Sequence, residues 1–205
     1  MILTQRFFLI GVMGLILAMT IQPSSLHAEV SRKKAEAFIS DLADQAIEAM
    51  TIPKVSKSER IERFKVLLNE NFAVKTIARY VIGRYWKRAT QIEKKEYLYL
   101  FQEMLAVSYS DRFSEYAGEN LNVIKSSVGS SKDVIVHSQI VRDGTQPVSV
   151  DWQVRSKDNV IFRIIDIKVE GGSLGQTQKS EFSSVIRQNG GKVEGLLAVL
   201  RKRVN

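Results

Sequence analysis

The chain has 205 residues, no cysteine and a formal net charge of +8 at pH 7. The lack of cysteine excludes disulfides and the attachment of a lipid anchor to an N-terminal cysteine. After residue 28 there is one histidine, His137, so we expect neither a zinc or iron site nor a Cys-His or Ser-His nucleophile arrangement. The composition therefore argues against metal-dependent and nucleophilic catalysis.

The N-terminus has the layout of a secretory signal peptide. Arg6 precedes an apolar run of 15 residues, from Phe7 to Ile21, and polar residues follow it. The run is shorter than the roughly 20 residues that a membrane-spanning helix needs. We therefore predict that residues 1–28 are removed by a cut after Ala28 and that residues 29–205 form a single exported domain.

The predicted mature chain is basic, with a charge of +7 because Arg6 is the only charged residue lost. An exported basic protein meets anionic lipid headgroups and acidic proteins rather than nucleic acid. Six cations cluster near the predicted join of the third and fourth helices: Arg79, Arg84, Lys87, Arg88, Lys94 and Lys95. A solvated surface and a docking surface for lipid headgroups or an acidic partner both fit this cluster.

Apolar residues at helical spacing predict four helices in the first half of the chain. The first covers 31–51, and the second begins at a capping box formed by Ser56 and Glu59. The third covers 73–86, and the fourth runs from a second capping box at Thr90 and Glu93 towards residue 116. Eleven of the fifteen aromatic residues after residue 28 lie between 64 and 116, so a cavity beside these helices would be rich in rings.

After Gly118 the pattern predicts strands at 121–125, 134–141, 148–156 and 160–170. Their short links imply an antiparallel meander. In the third strand the apolar residues alternate with polar ones, which gives one buried and one wet face. Helices follow at 177–189 and from 193 to 203. We expect an α+β fold in which helices pack on one face of a curved four-stranded antiparallel sheet and enclose an apolar cavity.

Several sequence blocks are similar to those of the MlaC family, the toluene-tolerance or phospholipid-carrier family of periplasmic proteins that serve an ABC transporter. The blocks are FAVKTIARYVIGRYW at 72–86, EYAGE at 115–119, VDW at 150–152, VEGGSL at 169–174 and SEF with SVIRQNGG within 180–191. They follow the family's order and span nearly all of the predicted mature chain. Gly172 and the short loop at 129–133 depart from the family pattern, and either could alter the mouth of a cavity.

The resemblance implies a monomeric periplasmic shuttle that binds phospholipid as cargo, without catalysis and without a cofactor. Its partners would be an outer-membrane lipoprotein complex and an inner-membrane MCE-domain ABC transporter, and its role the maintenance of outer-membrane lipid asymmetry. Two alternatives stay open: a carrier of hopanoids or another apolar lipid, and a structural adaptor of the transporter that binds nothing.

Eleven residues are predicted to bind the lipid, from their spacing and from the matched family blocks. The helical ones are Phe72, Ile77, Tyr80, Val81, Tyr85, Phe101, Leu105 and Tyr109. The sheet contributes Val150, Trp152 and Val169. We expect Tyr80 or Arg79 to lie nearer the mouth than the others.

Overall fold

A computed structural model describes residues 23–110, 118–130 and 133–204. Its helices are α1 (Pro23–Met50), α2 (Lys57–Asn71), α3 (Val74–Ile82), a 3₁₀ helix (Gly83–Lys87), α4 (Gln91–Ser110), α5 (Leu174–Gln188) and α6 (Val193–Val204). Its strands are β1 (Asn120–Val128), β2 (Asp133–Val141), β3 (Val148–Ser156), β4 (Phe162–Val169) and β5 (Gly172–Ser173). The predicted α+β class is confirmed, with five strands instead of four.

The strands form one antiparallel sheet in the order β1-β2-β3-β4-β5, so the predicted meander is confirmed. The additional strand β5 arises from a tight turn in which Glu170 and Gly171 have φ angles of 48° and 80°. Two successive positive φ angles fit a two-residue hairpin, which returns Gly172 and Ser173 to β4. The register shifts between Val123 and Lys125 of β1, and such irregularities increase the local bend and twist of a strand.

The core consists of two clusters that meet at partly buried phenylalanines. One, which we call the helical core, is built mainly from α3, α4, α5 and α6, and its largest members are Tyr97, Phe101 and Phe182, with ring centroids 5.8 to 6.3 Å apart. The other, the sheet core, joins α1 to the inner face of the sheet. Phe64 and Phe72 pack against both clusters, so the space between the two cores lies beside them.

A buried hydroxyl ties α4 to α3. Tyr97 is fully buried, and its hydroxyl donates to the carbonyl oxygen of Ala78 at 2.8 Å. Burial raises the pKa of Tyr97, so the hydroxyl stays neutral and keeps this bond. The contact fixes the angle between two helices that border the same space.

Local capping chemistry sets several helix ends. Thr90 Oγ1 accepts the amide of Glu93 at 3.2 Å while the Glu93 carboxylate accepts the amide of Thr90 at 2.7 Å, which completes the predicted capping box. α3 ends at Ile82 rather than at 86, because Gly83 has a φ of 58° and the chain continues as a 3₁₀ turn. α5 begins earlier than predicted, because Ser173 Oγ accepts the amide of Gln176 at 3.0 Å and caps it.

Most of the predicted signal peptide falls on residues 1–22, outside the described residues, and residues 23–28 form the first turns of α1. The cut after Ala28 stays a prediction. The predicted extension of the fourth helix over 111–116 also lies outside the described part of the chain. Among the helices of 23–110 and 174–204, none has the length and apolarity that crossing a membrane requires.

Candidate functional site

The inner face of the sheet and the helices that cover it enclose an apolar cavity with two lobes. The larger lobe has a volume of about 330 Å³ and lies between α1, α2 and the sheet. Residues that line only this lobe include Ile39, Leu42, Ala43, Ala46, Ile47, Leu67, Leu121, Ile140 and Trp152. This lobe is therefore bounded by aliphatic side chains from the helices and by an indole ring from β3.

The smaller lobe has a volume of about 150 Å³ and lies under α3, α4 and the start of α5. Residues that line only this lobe include Ile77, Val81, Phe101, Leu105, Ile164, Leu174, Gly175 and Gln178. Five residues line both lobes: Phe64, Leu68, Phe72, Tyr109 and Ile167. These shared side chains form a wall between two adjacent apolar spaces.

The polar groups that border the cavity have partners of their own. The indole N–H of Trp152 donates to Ser138 Oγ at 2.9 Å, which leaves the ring free to face the larger lobe. In the smaller lobe the Asp166 carboxylate accepts the Ser173 hydroxyl at 2.6 Å and the Gly175 amide at 3.0 Å. A Cβ at Gly175 would lie 3.0 Å from Asp166 Oδ1, so the close approach favours glycine. The lining residues that the structure describes offer mainly hydrocarbon contacts, and their polar groups already have partners.

Among the described residues that line the larger lobe, Glu119 is the one with a formal charge. Glu119, which lines that lobe, forms an ion pair with Arg142 at 3.4 Å. Arg142 has 53% of its side chain exposed, so this pair lies at the surface. A ligand in the larger lobe would thus meet charge only where the cavity opens.

Seven of the eleven residues predicted from the sequence line the cavity: Phe72, Ile77, Val81, Phe101, Leu105, Tyr109 and Trp152. Four do not line either lobe: Tyr80, Tyr85, Val150 and Val169. Whether the seven contact a lipid stays a prediction.

Tyr80 and Tyr85 do not line the cavity because of the orientation of α3 and the position at which it ends. Tyr80 is 46% exposed, and its hydroxyl donates to Gln176 Oε1 at 2.7 Å. The Tyr80 ring lies next to Gly175, a residue that lines the smaller lobe. A Cβ added at Gly175 would be 3.6 Å from that ring. Tyr85 follows the break at Gly83, which turns it into the helical core, where it is 3% exposed.

The two valines lie beyond the end of the cavity. Val150 and Val169 pair with each other across β3 and β4, two residues along from the pair of Trp152 and Ile167 that does line the larger lobe. Val150 is buried at 3% exposure, whereas Val169 is 37% exposed. The lining therefore stops at the Trp152–Ile167 pair.

The lining from α1 and α2 was missed by the sequence prediction. Leu42, Ala46 and Leu67 lie on the apolar stripes that define these helices, and the small side chain of Ala43 leaves room beside them. The stripe was visible in the sequence, but it did not show which of its members pack in the core and which border a cavity. The aromatic enrichment further along the chain pointed to only one side of the site.

The outer face of the sheet carries a Ser-His-Asp chain. Ser127 Oγ lies 2.8 Å from His137 Nε2, and His137 Nδ1 lies 2.7 Å from Asp151 Oδ1. The three residues come from β1, β2 and β3, which the antiparallel register brings side by side. The inventory argument against a Ser-His nucleophile arrangement is too strong as an argument, because one histidine suffices for such contacts once neighbouring strands supply its partners.

This chain of hydrogen bonds lacks the surroundings of a hydrolase site. Acyl transfer needs a substrate pocket and free donors for the developing oxyanion. Neither lobe is lined by Ser127, His137 or Asp151, and the central strands β2 and β3 are paired on both sides. Within 29–110, 118–130 and 133–204 there is also no group of three potential metal ligands.

The family model described as MlaC protein matches residues 40–202, which include all residues that line the smaller lobe and all that line the larger lobe except Ile39. This chain belongs to the MlaC family. A phospholipid-binding protein from Ralstonia solanacearum, solved in complex with a phospholipid, is similar in structure with a TM-score of 0.71 and 23% sequence identity. The match covers 83% of this chain and 96% of that protein. At this identity the likeness establishes the MlaC fold.

Proposed function

We propose that this MlaC family protein is a phospholipid carrier that holds the acyl chains of its cargo in the two-lobed cavity. The observation that carries the proposal is the cavity itself, which is walled by aliphatic and aromatic side chains and whose polar groups are already satisfied. The family match and the phospholipid bound to the Ralstonia solanacearum protein support this ligand class.

The physical need for a carrier is large. Removing hydrocarbon from water is worth about 0.8 kcal/mol per methylene, so two chains of about fifteen carbons oppose transfer through water by more than 20 kcal/mol. Branched and aromatic side chains accept hydrocarbon without fixing its length, and binding needs no reactive group. A non-binding adaptor of a transporter would have no use for such a cavity, which favours a carrier.

In the proposed role, residues 29–205 work in the periplasm after removal of the signal peptide. The monomeric protein carries phospholipid between an outer-membrane lipoprotein complex and an inner-membrane MCE-domain ABC transporter, and so maintains outer-membrane lipid asymmetry. It does so without a cofactor and without catalysis. Membership of the MlaC family supports this role.

The deciding experiment is to purify the exported protein, extract it with organic solvent and analyse the extract by mass spectrometry. We expect one diacyl phospholipid per protein molecule. A hopanoid in the extract would support the alternative cargo, and an extract without lipid would overturn the proposal.

A matched pair of α1 variants tests whether the lipid binds in the cavity. Ala43 lines the larger lobe, whereas Ala37 is exposed on the same helix. We expect Ala43→Trp to fill part of the lobe and to lose most of the bound lipid, while Ala37→Trp keeps it. Both variants should retain the helix content of the wild type by circular dichroism, and equal lipid content in the two would place the cargo elsewhere.

A further inference from the structure

Six cations around the 3₁₀ helix have no ion-pair partner among the residues that the structure describes. This cationic surface consists of Arg79, Arg84, Lys87, Arg88, Lys94 and Lys95. Some arginines elsewhere do form ion pairs, as Arg63 does with Glu59 and Arg201 with Glu96. Within the described residues, none of the six cations has a carboxylate within ion-pair distance. Six positive charges without an ion pair are therefore grouped within seventeen residues of the chain.

Four of these cations lie close to aromatic rings. The guanidinium of Arg79 and the ammonium of Lys94 lie 5.3 and 5.6 Å from the centroid of Trp86. The ring of Tyr85 is approached by Arg84 at 5.1 Å and Arg88 at 5.9 Å. Contacts with ring faces restrain long side chains without neutralising their charge. The surface thus presents ordered cations to a ligand from outside.

Exposed apolar side chains border the cations on α4. Ile92 is 80% exposed and Tyr99 is 63% exposed. Lys95 lies between them, at a spacing that places all three on one side of the helix. An aliphatic side chain, a tyrosine and lysines on one helix side are the residues that enter the headgroup layer of a bilayer.

We propose that the cationic surface docks the protein on membranes that contain anionic phospholipids, with Ile92 and Tyr99 in the headgroup layer. Ile92 and Tyr99 are seven residues apart on α4 with Lys95 between them, whereas the centre of a protein–protein interface is a continuous apolar patch with few charges. A field of lipid phosphates matches cations spread over α3, the 3₁₀ helix and α4. The opposite side of α3 carries Ile77 and Val81 into the smaller lobe, so docking brings that lobe within one helix of the bilayer.

The test is flotation of the purified protein with vesicles of phosphatidylcholine, with and without about 30 mol % phosphatidylglycerol. We expect binding only to the anionic vesicles and its loss as the salt concentration rises from about 0.05 to 0.5 M. Binding that depends on neither phosphatidylglycerol nor salt would overturn the proposal. Failure to bind vesicles together with retention on immobilised polyglutamate would overturn it in favour of an acidic protein.

Matched variants test whether this surface is responsible. The double variant Arg88→Gln/Lys95→Gln should weaken vesicle binding by about tenfold or more. Lys125→Gln/Lys157→Gln removes the same charge from exposed positions on β1 and the β3–β4 link, and should leave binding unchanged. Equal losses in the two double variants would mean that net charge, and not this surface, drives binding.

A second pair tests the apolar contact. Ile92→Ser should weaken binding to anionic vesicles, while Val160→Ser, at a position that is 74% exposed in the β3–β4 link, should not. The amount of co-purified lipid, measured on the same samples, separates docking from cargo binding. Variants of the cationic surface should keep the wild-type amount of lipid, so this proposal and the carrier proposal can fail independently.

Discussion

Successive side chains along each strand point to opposite faces of the sheet, and the two faces carry different kinds of side chain. The inner face carries Val136, Val154 and Ile164, all at 1% exposure or less, and borders the cavity. The outer face carries hydrogen-bonded polar side chains such as His137 and Asp151. The Ser127–His137–Asp151 chain of hydrogen bonds lies on the outer face, whereas both lobes of the cavity lie against the inner face. The face of the sheet on which a side chain lies, more than its residue type, therefore decides whether that side chain borders the cavity.

The largest expected effect is on the inner face. Ile164 is fully buried in the sheet core and lines the smaller lobe. Ile164→Ala should lower the free energy of unfolding by about 2 to 5 kcal/mol, because it removes buried methyl groups and leaves space behind. Urea unfolding of delipidated protein measures this, since bound lipid would add its own stabilisation. A loss below about 1 kcal/mol would mean that the inner face is loosely packed.

A smaller effect on stability is expected at Asp133, a buried carboxylate surrounded by polar side chains. The Asp133 side chain has no exposed surface and accepts hydrogen bonds from Arg155 at 2.6 and 3.0 Å, Ser130 at 2.7 Å and Gln153 at 2.8 Å. Asp133→Asn should cost about 2 kcal/mol at neutral pH, because hydrogen bonds to a charged group are lost. An unchanged urea midpoint would show that the cluster adds no stability.

The same aspartate predicts an acid sensitivity. Burial alone would raise the pKa of Asp133, but its hydrogen bonds to Arg155, Ser130 and Gln153 outweigh burial and hold the pKa below its usual value. A lowered folded pKa gives stability that is present above the unfolded pKa of about 3.9 and lost as the pH falls through the folded value. Between about pH 5 and 3, Tm should fall further in the wild type than in Asp133→Asn. Parallel Tm curves would contradict this.

A minor effect is expected at His137 on the outer face. His137→Ala removes the contacts to Ser127 and Asp151, but the side chains of His137 and Asp151 are 28% and 35% exposed. We expect a loss of about 1 kcal/mol or less, because water replaces the lost partners. The lipid extracted from the variant should equal that of the wild type. A drop in bound lipid would link the outer face to cargo binding and break the contrast between the faces.

We expect no reaction between Ser127 and a fluorophosphonate, a reagent that labels activated serines. Within the described part of the chain Ser127 lines neither lobe of the cavity, so we expect its hydroxyl to lack the substrate pocket that activation for acyl transfer would serve. Intact-mass measurement should find no adduct under conditions that label a serine hydrolase completely. An adduct that disappears in Ser127→Ala would make the outer face a catalytic site.

Features set by local chemistry were predictable from the sequence. The Thr90–Glu93 capping box and the bounds of β3 were predicted to the residue, because each depends on neighbours in the chain. β5 was not, because two residues carry no periodicity and Glu170 gives no sign that it will adopt a positive φ. The break at Gly83 was missed for a related reason: a glycine is tolerated within a helix, and its φ is decided by the fold around it.

The candidate site shows the same division. Ile77 and Val81 follow from helical spacing, but extending that spacing past Gly83 misplaced Tyr85. The Ser127–His137 contact depends on strand register, which composition does not contain. The α1 wall of the cavity depends on the packing of a helix against strands about a hundred residues away in the sequence.

The irregular β1 and the short β5 are the two edges of the sheet. A long regular edge exposes a row of unpaired amides and carbonyls that can recruit a strand from another molecule. β5 is only two residues long, and the register shift at Ile124 of β1 is followed by an exposed lysine, Lys125. On the β5 side most of β4 stays uncovered by β5, but Phe72 bridges to Ile164 and the Ala73 amide donates to the Ile164 carbonyl, which interrupts that edge. The sheet therefore resists growing by adding strands from other copies, a useful property for a protein built around a hollow apolar interior.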